Sequence, residues 1–433
     1  MAAFCVPIDR SALSSALEKT TTNTTPTVKK RHIVHMDLDT FFVSCERRED
    51  SRLEGRPVLI GGLSDRGVVA SCSYEARKFG IRSAMPMHMA RQLCPEAVVI
   101  KGNSGTYMKY SSMVTEIIKE HAPVYEKSSV DEFYLDLTGM DKYFGCMKFA
   151  SELRQRIINE TDLPLSFGMS VNKTVSKIAT GEAKPNNEIN IHKGEEKPFM
   201  APLSVRKIPM VGDRTYQMLC HMGVKHIGTV QEMPMDLMQS TFGKSGVMIW
   251  KKANAIDNSP VIQYNERKSI STERTFDKDT IDVYKLKSIL TAMAENLAFQ
   301  LRRGKKLTSC ITVKLRYSDF QTKSVQCRIP YTAADHILLK KAKELFEKLY
   351  NRRLLVRLIG IRYSALVEGC YQMDLFEDSE RMANLYTAMD KMRIKYGDRA
   401  IIKAEGMGKA ARTIGRSNPF NGEPPPLLAH RHQ

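Results

Sequence analysis

An α/β or α+β fold divided among several units is what the sequence predicts, on three observations. From residue 31 to about 195, short apolar strands alternate with helical patterns. Around residue 200 the texture changes to short helices joined by glycine-containing turns, and from about 268 basic strands mix with long helices. A chain of 433 residues has room for about two to four such units. Its charge is lopsided: 66 Lys plus Arg against 48 Asp plus Glu leave +18. That surplus calls for a polyanionic partner, most simply nucleic acid, although an anionic membrane surface fits too. No apolar run approaches the roughly 18–20 residues of a spanning helix, and the N-terminus lacks a secretory h-region. A cytoplasmic protein without a membrane partner is therefore expected. Nine cysteines without a CxxC pair read as reduced, mostly buried thiols.

Each element has its own signal. Residues 1–30, with the threonine-rich TTTNTTPTVKK (20–30), carry no apolar period and read as a flexible extension. IVHMDLDTFFVSCE (33–46) begins as a buried strand with Ile33, Val34 and Met36, reaches Asp37 and Asp39, and continues into Phe41 and Phe42. RGVVAS (66–71) reads as a strand and YEARKFG (74–80) as a short helix closed by Gly80. In TYMKYSSMVTEIIKEH (106–121), Tyr107, Tyr110, Val114, Ile117 and His121 share one helical face. LPLSFGMS (163–170) alternates as a half-buried strand, with Leu163, Leu165, Phe167 and Met169 on one side. KIPMVGDRTYQMLCHMGVKHIGTVQEM (207–233) contains two glycine turns. In CITVKLRY (310–317), apolar Ile311, Val313, Leu315 and Tyr317 alternate with Thr312, Lys314 and Arg316, giving a sheet with one cationic face. Near the C-terminus, 383–397 has helical spacing through Leu385, Met389 and Met392, and 417–433 has a disordered composition. The sequence leaves open whether this tail binds another protein or folds back onto the chain.

Two acidic clusters carry the chemistry. KSSVDEFYLDL (127–137) sets Asp131 and Glu132 inside an apolar, β-favouring run, where a carboxylate needs a partner. Alone, either cluster reads best as a solvated hairpin edge. Two such clusters on separate strands of one unit shift the balance toward a Mg²⁺ site, since magnesium takes one or two carboxylates and leaves room for water and phosphate. YEARK puts a hydroxyl, Tyr74, and a guanidinium, Arg77, three apart, and ATGEAKPNN (179–187) sets Lys184 before a proline at a helix end. With the carboxylates, these groups describe a nucleoside triphosphate held for phosphoryl transfer. One geometric condition follows. On a regular strand Asp131 and Glu132 point to opposite faces, so one of them must lie at a turn or bulge if both serve one site.

The stretches MDLDTFF, RPVLIGG, YEARKFGIRSAMP, SSVDEFYLDL and AKPNN, in this order, resemble the Y-family DNA polymerases, and within them the DNA polymerase IV (DinB) branch. The resemblance runs from about Arg31 to Phe376. It implies an α+β right-hand polymerase: palm at 31–44 and 102–199, fingers at 45–101, a helix-hairpin-helix thumb at 200–265, a little finger at 266–368, a clamp-binding peptide at 369–378 and a C-terminal extension at 379–433. It implies a low-fidelity, translesion DNA-directed DNA polymerase without proofreading, acting on primer-template DNA and dNTPs. Position by position, it implies that Asp37, Asp131, Glu132 and the backbone carbonyl of Leu38 bind two Mg²⁺ ions. Ser71, Tyr74, Arg77 and Lys184 match triphosphate-gripping positions, and Phe42 matches the steric gate against a ribose 2′-hydroxyl, with Phe41 a packing residue. Asp39 is left as a local acid starting the following helix. Gly212 and Gly223 of the glycine turns, and Lys314 and Arg316, match DNA-contacting regions. QMDLF (372–376), with Gln372, Leu375 and Phe376, resembles a peptide that docks on the sliding clamp. A monomer is expected. Two other readings are weaker: a clamp-bound DNA-binding protein that has lost catalysis, for which the acidic set should be eroded, and the UmuC-type branch, which YEARKFGIRSAMP fits less well.

Overall fold

The computed structural model describes residues 31–64, 66–140, 145–263, 266–369, 379–397 and 400–406. Its centre is a five-stranded sheet. The Ile33–Leu38 strand lies in the middle, antiparallel to Glu132–Asp136 on one side and Leu165–Ser170 on the other. Tyr125–Lys127 and Glu188–Asn190 form the edges. Residues Leu165, Phe167 and Met169 point into a core shared with the Ser104–His121 and Cys146–Thr161 helices. The expected half-buried strand is in fact buried on both faces. Ser166, Gly168 and Ser170 turn toward the Lys173–Ala183 helix, and these small residues let it lie close. A Cβ at Gly168 would stand 2.5 Å from Ser176 O and 2.5 Å from Thr180 N.

A three-stranded sheet of Val58–Gly61, Val69–Cys72 and Val98–Ile100 is inserted between the first strand and the Ser104–His121 helix. Its middle strand faces two cores, with Val58 and Ile60 in the central one and Leu59 in a smaller one with Val69, Cys72, Ala76 and Met87. Four short helices follow the central sheet: Asp213–His221, Ile227–Glu232, Met235–Phe242 and Lys244–Ala253. They pack around Leu219, Ile227, Val230, Met238 and Ile249. The expected glycine turns are present. Gly212 is the N-cap of the Asp213–His221 helix, and Gly223 at φ 81 reverses the chain after it.

The last sheet, of four antiparallel strands, backs onto the long helices Val283–Arg303 and Asp335–Leu349. Here the predicted alternation holds: Ile311, Val313, Leu315 and Tyr317 are fully buried, while Lys314 and Arg316 lie on the other face. That face is less cationic than the sequence suggests, because Lys314 Nζ donates to Glu273 Oε1 at 2.8 Å.

The described part of the tail, 379–397 and 400–406, folds back onto this unit. Its helix, Ser379–Tyr396, docks through polar groups: Asp390 accepts from Arg302 at 2.6 and 2.9 Å, and Tyr386 meets His336 at 2.7 Å. Arg393 stacks over Phe299 and donates to Ile401 O. Leu385 and Met392, which carry the expected helical spacing, are 49% and 45% exposed. The inner face is set by the ionic partners that the two long helices offer, and the apolar stripe is turned out. Among the described residues no helix is long and apolar enough to cross a membrane.

Candidate active site

The two acidic clusters meet at one end of the central sheet. Asp37 and Glu132 are register partners across the first strand pair. Asp131 lies in the bend just before the Glu132–Asp136 strand, outside the regular alternation. The bend is held by Ser129, whose hydroxyl donates to Asp131 Oδ1 at 2.5 Å and accepts from the backbone N–H groups of Asp131 and Glu132. Leu38 N donates to Asp131 O at 3.0 Å, closing the end of the strand pair. The geometric condition posed by strand alternation is thereby met.

Crowding perturbs these acids. Burial, then the charges of Asp37 and Glu132, push Asp131 up to about 7. Burial also raises Asp37, against the pull of the Lys184 ammonium. Burial works the same way on Glu132, but the His35 ring and the Lys177 ammonium outweigh it and hold this carboxyl below its usual range. The Lys173–Ala183 helix supplies both cations. Lys177 Nζ sits 2.6 and 2.7 Å from the two oxygens of Glu132, and Lys184, which caps the helix, sits 2.5 Å from Asp37 Oδ1. Burial works to lower Lys184, but Asp37 and Asp39 outweigh it and raise its pKa.

Asp39 is not the helix-starting acid that its position suggests. Thr40 caps the Phe41–Glu49 helix with left-handed backbone at φ 41 and no side-chain bond. Asp39, 1% exposed, instead accepts from Ser166 Oγ at 2.7 Å and Asn186 N at 2.6 Å, and lies 3.5 Å from Lys184. It fastens residues 184–187 beside Asp37. Its partners lie 127 and 147 positions away along the chain, beyond the reach of local pattern.

Tyr74 and Arg77 share one side of the Tyr74–Lys78 helix, the guanidinium 4.9 Å from the ring centre. Burial, with Asp39 nearby, pushes the Tyr74 hydroxyl up to about 12, and that buried hydroxyl has no hydrogen-bond partner among the described residues. Ser71 is buried in the neighbouring strand. Phe41 packs in the central core, while half-buried Phe42 stacks on Tyr107 with centroids 4.5 Å apart. Tyr107 is anchored by its hydroxyl on Glu46. Gly212, Gly223, Lys314 and Arg316 lie on other units, away from this cluster, and Gln372, Leu375 and Phe376 fall outside the described residues.

Sequence reasoning missed Lys177, His35, Ser129 and Tyr107. A signal existed for Lys177: it precedes Lys184 by seven positions, two helical turns, and so shares its helix edge. Among the described residues no three His, Cys, Asp or Glu side chains converge at ligand distance, and two of the acids pair with lysines. The donors nonetheless suit a hard divalent cation: all are carboxylate oxygens, and their mutual repulsion shows in the raised Asp131.

Residues 36–181 match the impB/mucB/samB family, and 267–375 match the C-terminal domain of that family. A DNA polymerase IV of Dehalococcoides mccartyi is 36% identical, covering 85% of this chain and 95% of its own. One from Treponema denticola is also 36% identical, over 76% of this chain and 83% of its own. Among solved structures, a Y-family DNA polymerase chimera of Dbh and Dpo4 superposes with a TM-score of 0.69 at 24% identity, over 78% of this chain and 100% of its own. The chain belongs to the impB/mucB/samB family of Y-family DNA polymerases. It is a translesion DNA-directed DNA polymerase, with the α+β fold and the divalent-metal dependence of that class.

Proposed function

We propose that the chain extends a primer 3′ end with dNTPs at the site formed by Asp37, Asp131 and Glu132, using Mg²⁺. The observation that carries this reading is the Ser129-held bend, which frees Asp131 from strand alternation and lets all three carboxylates serve one place. Two Mg²⁺ ions held there, with the Leu38 carbonyl as a further ligand, would acidify the primer hydroxyl and neutralise the leaving pyrophosphate. The protein's own groups do the rest. Lys184, Arg77 and the unpartnered Tyr74 hydroxyl grip the triphosphate, with Ser71 beside them. Phe42, backed by Tyr107, stands under the sugar and excludes a 2′-hydroxyl.

In this reading the five-stranded unit is the palm, the inserted sheet the fingers, the four short helices the thumb, and the four-stranded unit the little finger. The uncapped N-terminus at Gly212, the turn at Gly223, and Lys314 and Arg316 meet the DNA backbone, giving sequence-independent, salt-sensitive binding. QMDLF docks on the sliding clamp. The enzyme works as a cytoplasmic monomer and lacks a proofreading site.

Primer extension with Mg²⁺ and dNTPs tests the core of this reading. The intact chain should extend a primer and D131N/E132Q should not; a folded double variant with wild-type extension would falsify the assignment. A DNA-binding protein without catalysis is disfavoured, because every acidic and cationic position of the site is intact.

A further inference from the structure

We propose that Lys177 is a placeholder cation for Glu132: in the metal-free enzyme its ammonium occupies the carboxylate that a divalent ion takes over when the site loads. The inference rests on the reading of Glu132 as a metal ligand given above.

Lys177 is 7% exposed, an environment a lysine enters only with a partner. Its ammonium engages both oxygens of Glu132, at 2.6 and 2.7 Å. The other neighbour of that carboxylate is His35, itself 1% exposed, with Nε2 3.8 Å from Glu132 Oε2, too far for a hydrogen bond. Its second nitrogen is anchored on the neighbouring helix. His35 Nδ1 lies 2.9 Å from Thr180 Oγ1, and that hydroxyl lies 2.8 Å from His35 O and 2.9 Å from Ser176 O. This network holds the ring in place beside the carboxylate. Among the described residues Lys177 is the cation that hydrogen-bonds the Glu132 carboxylate, on both oxygens.

A half-buried carboxylate stripped of that cation is costly unless another cation replaces it. A divalent ion at the Glu132 oxygens brings positive charge against the ammonium, so the two compete for one partner. Lys184 repeats the arrangement on Asp37, but Lys184 has a triphosphate to move to, whereas Lys177 stays buried behind the sheet.

The test uses the full chain without DNA, with Mn²⁺ as the probe, read by electron paramagnetic resonance and by thermal unfolding. Lys177→Met should melt lower than wild type when metal-free, bind Mn²⁺ several-fold more tightly, and regain most of the lost melting temperature at saturating Mn²⁺. Lys177→Arg should keep wild-type values, and K177M/E132Q should recover the metal-free melting temperature. Unchanged or weaker Mn²⁺ affinity in K177M, or a melting loss that Mn²⁺ leaves intact, overturns the proposal. If K177M does not fold, K177M/E132Q decides: recovery supports the pairing, and continued failure refutes it. E132Q alone separates the two readings. Wild-type Mn²⁺ binding in E132Q refutes the ligand assignment, whereas lost binding there with unchanged affinity in K177M refutes the placeholder alone.

Discussion

Gly168→Ala tests how the fold delivers the two lysines to the site. The added Cβ would stand 2.5 Å from Ser176 O, 2.5 Å from Thr180 N and 2.6 Å from the Ala179 Cβ. Contacts between non-bonded heavy atoms settle near 3.5 Å, so the helix must retreat by roughly 1 Å. None of the three obstacles is a flexible side-chain end, so the strain cannot be relieved by a rotamer change. Overpacking of this kind costs about 1–3 kcal/mol. The helix carries Lys177 and Lys184, and misplacement by about 1 Å near reacting groups lowers rates by about 100-fold. Two measurements are needed: the urea midpoint of the unit, and single-turnover insertion of a dNTP. The control is Gly181→Ala on the same helix, where a Cβ meets nothing within 4 Å. That change should stabilise by about 0.5–1 kcal/mol through helix propensity. If G168A matches wild type in both midpoint and insertion rate, the close approach of helix and strand does not set the site.

Three further outcomes are expected. Phe42→Ala should raise ribonucleotide insertion relative to dNTPs by about tenfold or more, a change of about 1.4 kcal/mol, in competition assays on one primer-template; unchanged discrimination removes Phe42 from the sugar's path. Arg302→Met should destabilise the C-terminal four-stranded unit by about 3–5 kcal/mol, because Asp335, fully buried, loses its cation, and hydrogen exchange in the Ser379–Tyr396 helix should accelerate; unchanged exchange there means the helix is held by something else. Lys127, pushed down to about 8 by burial, gives a pH signature. Between pH 8 and about 10.5 the unfolded chain holds a proton there that the folded one has shed, so stability contributed by this group rises with pH and is lost as pH falls through 8. Lys127→Met should flatten that slope in urea titrations, and a slope that persists assigns it to another group.

Much of the architecture was readable because it follows local periods. Tyr74 and Arg77 stand three apart and share a helix side, and the alternation through Ile311, Val313, Leu315 and Tyr317 fixes which face of that strand is buried. What escaped depends on partners far off in the chain. Asp39 looks like a cap because its real partners, Ser166 and Asn186, come more than a hundred positions later. The second buried face of Leu165–Ser170 is made of serine and glycine, which hydropathy counts as exposed but close packing needs for their size. The terminal helix has the spacing expected through Leu385, Met389 and Met392, yet Leu385 and Met392 are exposed. It buries Tyr386 and Arg393 instead, with Asp390 facing inward beside them, since ionic partners already waiting on the neighbouring helices outweigh the apolar stripe.

The separate cores bear on how the molecule can be rebuilt. The four-stranded unit closes a hydrophobic interior of its own, with Phe276 and Ile361 packed wholly inside it. One of its links to the inserted sheet is small and polar: Arg66 reaches the Phe276 carbonyl at 3.0 Å and Asp279 at 2.5 Å. A unit joined in this way is an exchangeable cassette. Recombinants that carry it between related chains should tolerate wide differences in its interior, provided the arginine on one side still finds a carboxylate on the other.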